Sequence, residues 1–233
     1  GTPPDIYSRE INYWLWQAAL DILKSKPEID FVYVHTTDYP MHAWAPEQRE
    51  SLEHLRRIDE FIGQAQDAAP EAAFFFTADH AMNAKTRCWD LVKVCLEKGT
   101  PIRFALSPER DYYVKHHRNF TGCAYVWLRD ASDYEPAARI IQNLTGVESV
   151  IPGKAAAARF HLVPERIGDM VVLGDKDTMF GDLPSVCETL PPTYRAHGSL
   201  HEMALPLIIT RYSGSLPPAD RFRYNKDLLH FLF

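Results

Sequence analysis

Two short apolar runs, 30-DFVYVHT-36 and 72-AAFFFT-77, each follow a long stretch of helical periodicity, and each ends in a polar cluster holding aspartate and histidine. A brief run rich in β-branched and aromatic residues is the pattern of a strand covered on both faces. Ahead of the first run, Ile11, Trp14, Leu15, Ala18, Ile22 and Leu23 fall on one stripe over residues 8–25, with Ser8 placed to cap the helix and Pro27 to stop it. Between the runs, Leu52, Leu55, Ile58, Phe61 and Ile62 make a second stripe over 46–66. Pro46 suits its first turn by its fixed φ, and Glu47 by the helix dipole. Helix, strand, helix, strand predicts parallel strands joined by right-handed crossovers.

The texture then changes. Residues 101–107, 122–129 and 168–174 read as strands, 133–145 as a helix, and 147–159 as a further short element. The run at 204–210 reads as a strand that rejoins the first sheet. The expected fold is α/β: a mostly parallel sheet sandwiched by helices, with an inserted α+β cap. The core comprises 1–95 and 185–233, and the cap 96–184.

At 233 residues and a net charge of −6, the chain can bury a sizeable core, and its acidic balance argues against a nucleic-acid partner. No apolar run approaches the roughly 20 residues that span a bilayer, so no membrane partner is expected. Cys88, Cys95, Cys123 and Cys187 form no C-x-x-C pair, which argues against a structural zinc knuckle and fits reduced thiols in the cytoplasm. The chain begins at Gly1 rather than at a methionine, so a secreted or periplasmic location stays open.

Chemistry in open α/β sheets collects outside the carboxyl ends of the strands. Three polar clusters lie at or beside such places: 36-TTDYPMH-42, 77-TADHAMN-83 and 196-AHGSLHE-202. Taken alone, Asp38 reads as a helix cap and His42 as a half-exposed histidine. Asp79 and His80 allow the same reading. The third cluster alone reads as a polar loop, with Gly198 allowing a tight backbone. Together they offer carboxylates and imidazoles from three loops to one cation, a donor set that suits zinc and also manganese or iron. His35 reads as a core histidine with a hydrogen-bond partner.

TTDYPMH, TADHAMNAK and HGSLHEMALPLI, with YSREINYWLWQAALDIL at the start, resemble the alkaline phosphatase superfamily. Within it the chain is most similar to phosphonoacetate hydrolases, in the branch shared with nucleotide pyrophosphatase/phosphodiesterases. The resemblance implies two zinc ions. Asp38, His42 and His197 would hold one, with His201 as the alternative to His197, and Asp79 and His80 would belong to the other. Asn83 and Lys85 are expected near the substrate, a small anionic phosphonate or phosphate ester. Family members carry glycine where Ala81 follows the Asp-His pair. The family's threonine nucleophile and a further aspartate belong to a segment expected upstream of Gly1, and Thr36 and Thr37 do not match that threonine. The resemblance therefore implies a zinc-dependent hydrolase that cleaves the C–P bond of phosphonoacetate, completed by an upstream segment or acting as a homodimer. A phosphodiesterase or nucleotide pyrophosphatase, and a catalytically incomplete metal-binding fragment, are the competing readings.

Overall fold

The computed structural model describes residues 1–110 and 118–231; residues 111–117 of the expected cap lie outside them. The chain divides into two compact units, one of residues 1–40, 47–81 and 204–233 and one of residues 41–46 and 82–203.

The first unit is built on two helices, Glu10–Ser25 and Arg49–Ala68. Trp16, Leu20, Phe61 and Ala65 form its buried centre, with Val34, Phe74 and Phe76 packed against them. The inward faces differ from the expected stripes. Ile11, Asn12, Trp16, Ala19 and Leu20 are buried in the first helix, while Ile22 is 37% exposed. In the second, His54, Phe61 and Ala65 point inward, while Leu52 and Leu55 face out. Ile11 and Leu23 of the first stripe and Ile58, Phe61 and Ile62 of the second do pack inward, while the polar Asn12 and His54 take interior places that an apolar stripe leaves out. Ser8 does not cap the first helix. Arg9 occupies that position without a side-chain cap, and the Ser8 hydroxyl donates to the Asp5 carbonyl instead.

His54 is 4% exposed, and its Nδ1 lies 3.2 Å from the Tyr13 hydroxyl. Burial, reinforced by the Arg9 charge, holds this imidazole below its ordinary value of 6.5. Below pH 6.5 the unfolded chain therefore binds a proton that the folded chain resists. The stability His54 contributes is present above that pH and lost as the pH falls through the folded value. Thermal denaturation between pH 7 and pH 5 should show a steeper loss for the parent than for His54→Leu. Equal slopes would contradict this.

The run at 30–36 was expected to be a doubly covered strand, and it is not one. Residues 31–37 belong to no ladder among the described residues, with Phe31 47% and Tyr33 76% exposed. Val34 turns inward against the helices, so one face is covered and the other is open. His35, expected in the core, is exposed and stacks on Tyr33 with ring centroids 6.0 Å apart. The second run does form a strand, Phe74–Phe76. It pairs antiparallel with Ile208–Thr210, so the 204–210 segment does meet it, in the opposite sense to a parallel sheet.

The second unit centres on a four-stranded sheet in the order Phe104–Leu106, Cys123–Trp127, Met170–Gly174, Val147–Pro152, antiparallel throughout. Side chains alternate across it as strand geometry requires. Ala124, Val126, Met170 and Val172 meet Leu91, Cys95, Ala137 and Ile141 of the helices Leu91–Glu97 and Tyr134–Gln142 on one face. Val171 and Leu173 meet Ala156 and Ala157 of the helix Gly153–Phe160 on the other. Arg87–Trp89 lies between Thr178–Phe180, which is parallel to it, and Cys187–Thr189, which is antiparallel. Asn83–Ala84 pairs antiparallel with Arg195–Ala196.

The fold is thus mixed α/β, but its sheets are small. Among the described residues, Arg87–Trp89 with Thr178–Phe180 is the one parallel pair of named strands, against the expected mostly parallel sheet. The helix–strand alternation predicts crossovers, yet of the two runs it flanks the first joins no ladder, and the second finds its partner far along the chain, in antiparallel sense. No cysteine is in a disulfide. Cys88 and Cys95 are buried as small apolar groups, with burial pushing the Cys95 thiol up to about 11. No helix among the described residues is long and apolar enough to cross a membrane.

Candidate metal centre

In the first unit, the strand Phe74–Phe76 ends in the loop Thr77–His80. Asn225 steadies that loop, its amide donating to the Ala78 carbonyl at 2.9 Å and accepting from the Thr77 hydroxyl at 3.3 Å. His80 Nδ1 lies 3.1 Å from the Ala81 carbonyl oxygen. A carbonyl only accepts, so Nδ1 carries a proton, and in the neutral ring the lone pair is on Nε2. Nε2 faces two carboxylates, 3.7 Å from Asp79 Oδ1 and 3.9 Å from Asp38 Oδ2. Bonds of about 2.0–2.1 Å at the tetrahedral angle set zinc ligands about 3.3 Å apart, so His80 Nε2 and either carboxylate taken as a pair need close only slightly to share an ion. All three side chains retain solvent access, at 24% for His80, 66% for Asp79 and 32% for Asp38.

Asp38 owes its placement to a residue the sequence reading missed. Asn12 is completely buried, and its side-chain amide pairs with Thr37 as a neighbouring strand would. Its Nδ2 donates to the Thr37 carbonyl at 2.9 Å, and its Oδ1 accepts from the Thr37 amide at 2.8 Å. Two hydrogen bonds from one rigid amide fix the backbone immediately before Asp38. An asparagine on the inner stripe of an otherwise apolar helix was the available signal, since a buried amide must find partners.

In the second unit, His42 sits in the last turn of the short helix Tyr39–Ala43. Its Nδ1 donates to the Arg195 carbonyl at 2.7 Å, so again Nε2 holds the lone pair. Arg195 Nε donates to the Met41 carbonyl at 2.8 Å, tying the same two segments a second time. His197 follows the strand Arg195–Ala196, and its ring centroid lies 5.5 Å from that of His42, at 57°. Two imidazoles on one tetrahedral zinc have centroids about 5 Å apart, so this pair also fits. An Nδ1–H tied to a backbone carbonyl is the usual orienting arrangement for a metal-bound histidine, and His42 and His80 both have it.

Gly198 brings His197 to this position with φ at +101°, and the Gly122 amide donates to the His197 carbonyl at 2.9 Å. A Cβ at Gly198 would sit 2.9 Å from the Thr121 Cβ. Gly198→Ala should therefore cost about 1–3 kcal/mol in backbone strain alone and lower the melting temperature. An unchanged melting temperature would show that the loop relaxes freely. At Ala81 no such strain exists, because the non-glycine positive-φ positions among the described residues are Asn119, His161 and Arg211.

His201 points elsewhere, its Nε2 2.7 Å from Glu148 Oε1. Asn83 and Lys85, expected near substrate, both donate to Glu202 Oε1, at 2.6 and 2.9 Å. The Lys85 side chain is 0% exposed, neither a solvated lysine nor one that reaches into an open site.

The family model for type I phosphodiesterase / nucleotide pyrophosphatase matches residues 7–199. Crystal structures of phosphonoacetate hydrolase from Sinorhizobium meliloti 1021, in complex with phosphonoformate and with phosphonoacetate, superpose with a TM-score of 0.86 at 26% identity, covering 98% of this chain. The chain spans 57% of that enzyme's length. Human ectonucleotide pyrophosphatase / phosphodiesterase 5 shares the fold, with a TM-score of 0.55 at 14% identity over 89% of this chain and 54% of that one.

Proposed function

Because this chain belongs to the type I phosphodiesterase / nucleotide pyrophosphatase family, we propose that it forms the metal-binding part of a zinc-dependent hydrolase that cleaves the C–P bond of phosphonoacetate. The observation that carries the metal reading is the paired tautomer geometry. His42 and His80 each spend Nδ1–H on a backbone carbonyl and leave Nε2 for a cation, and in His80 that nitrogen faces carboxylates. The substrate reading is supported by the likeness to the S. meliloti enzyme, solved with phosphonoacetate and phosphonoformate bound.

In this reading Asp38, His42 and His197 hold one zinc ion, and Asp79 and His80 belong to a second. Bound there, the cations would supply an acidified hydroxyl or water and neutralise charge on phosphoryl oxygens. The chain's own contribution is to orient. Asn12 fixes the Asp38 backbone, Asn225 the Asp79–His80 loop, and Arg195 the His42 ring. The reaction adds water across the C–P bond. Hydroxyl goes to phosphorus and a proton to the departing methylene carbon, giving phosphate and acetate.

The family match also supports a second reading, a phosphodiesterase with another substrate. A panel of phosphonoacetate, a phosphomonoester and a nucleotide diester, offered to the full-length zinc-loaded protein, separates the two. Phosphate and acetate released chiefly from phosphonoacetate is the expected result. Turnover confined to the diester would move the assignment to the second reading, and turnover of none would remove the hydrolase reading altogether.

A further inference from the structure

We infer that Glu202 is the positioning residue of His197, acting through the loop between them; this deepens the metal reading proposed above and rests on it. One buried carboxylate, 2% exposed, gathers four donors. Oε1 accepts from Asn83 Nδ2 at 2.6 Å and from Lys85 Nζ at 2.9 Å. Oε2 accepts from the Ser199 amide at 2.8 Å and the Ser199 hydroxyl at 2.7 Å. Lys85 Nζ also donates to the Lys176 carbonyl at 2.9 Å.

Ser199 is separated from His197 only by Gly198, whose left-handed backbone gives the loop its turn. Glycine is also the residue with the most backbone freedom to lose, so this hinge needs anchors on both sides. On the near side, Ala196 pairs with Asn83, and Gly122 holds the His197 carbonyl. On the far side, Glu202 holds Ser199. Asn83 thus belongs to both anchors, through its backbone in the ladder and its side chain on Glu202. The Lys85 amide, donating to the Tyr194 carbonyl at 3.0 Å, extends the ladder that leads into His197. Both charged residues therefore belong to segments that frame His197.

A carboxylate this well paired could serve stability alone, so the test must separate stability from ligand placement. Zinc affinity, by competition with a chromophoric chelator, is read beside the melting temperature for the parent chain, His197→Ala, Glu202→Gln, Ser199→Ala and the double variant Lys85→Met/Glu202→Leu. The double variant removes both buried charges together and so avoids an unpaired one. Positioning by Glu202 predicts a fall in affinity of about 10- to 100-fold in Glu202→Gln and in the double variant, the range typical of residues that orient metal ligands. Ser199→Ala keeps the main-chain anchor and should fall less, and it serves as the readout should the other two not fold. Parental affinity in the folded Glu202 variants, or in Ser199→Ala if it alone folds, overturns the inference and leaves Glu202 a stabilising residue. An affinity in His197→Ala equal to the parent's, or no zinc binding by the parent, overturns the metal reading and the inference with it.

Discussion

Lys85→Ala is expected to destabilise the protein by about 3–5 kcal/mol, the cost of leaving a buried charge without its partner. The Lys85 and Glu202 side chains are 0% and 1% exposed, and Nζ approaches Oε1 to 2.9 Å. Truncation would strand the Glu202 carboxylate in a site that water does not reach, with Asn83 and Ser199 as its remaining donors. Exposed pairs such as Arg57 with Glu60 contribute little by comparison, typically below about 1 kcal/mol. Urea denaturation of parent and variant measures the difference, and a loss below about 1 kcal/mol would contradict it. Burial pushes the Glu202 carboxyl up, but the hydrogen bond and charge of Lys85 together with the hydrogen bonds of Ser199 and Asn83 hold the group below its ordinary 4.5. The stability from this pair is therefore present above that pH and lost as the pH falls through the folded value. Lys85→Ala should flatten the acid limb of the stability profile.

Asp38→Ala and His80→Ala are expected to weaken zinc binding by more than about 100-fold, since changes to groups that merely orient a ligand already cost roughly 10- to 100-fold. Both side chains are partly exposed, at 32% and 24%, and neither belongs to the core, so the melting temperature should barely move. The combination of lost affinity and kept stability is the expected result. Asp79 is 66% exposed and its Oδ1 also accepts from the His80 amide at 3.1 Å, so Asp79→Ala should act partly through His80. Calorimetric titration with zinc reads all three. Parental affinity in His80→Ala would contradict the assignment of that ring as a ligand.

Some of this was legible in the residues. The two long helices follow from apolar periodicity, and the strands Phe74–Phe76, Cys123–Trp127 and Met170–Gly174 from short apolar runs. The sense of strand pairing was not. The partner of 74–76 lies at 208–210, and nothing local records its direction. Segment 31–37 departs from the expected strand because an apolar run states what its side chains prefer, not whether a neighbouring strand exists to take its backbone. For the proposed centre, Asp/His spacing and the glycine after His197 are what single out its three loops in the sequence. The supports were invisible for a common reason. Asn12, Asn225 and Glu202 act across 25, 147 and 117 positions of chain, the last on Lys85, and look ordinary where they stand. Only the oddity of a polar residue on an inner helical face hinted at Asn12.

The central claim is that Asp38, His42, Asp79, His80 and His197 serve a metal. Elemental analysis of the purified chain and of its His42→Ala variant, after dialysis against trace zinc, tests it most directly. The account predicts near-stoichiometric zinc in the parent and a marked loss in the variant, because His42 presents Nε2 only while its Nδ1–H is held by the Arg195 carbonyl. Equal zinc in both, or none in the parent, would contradict it.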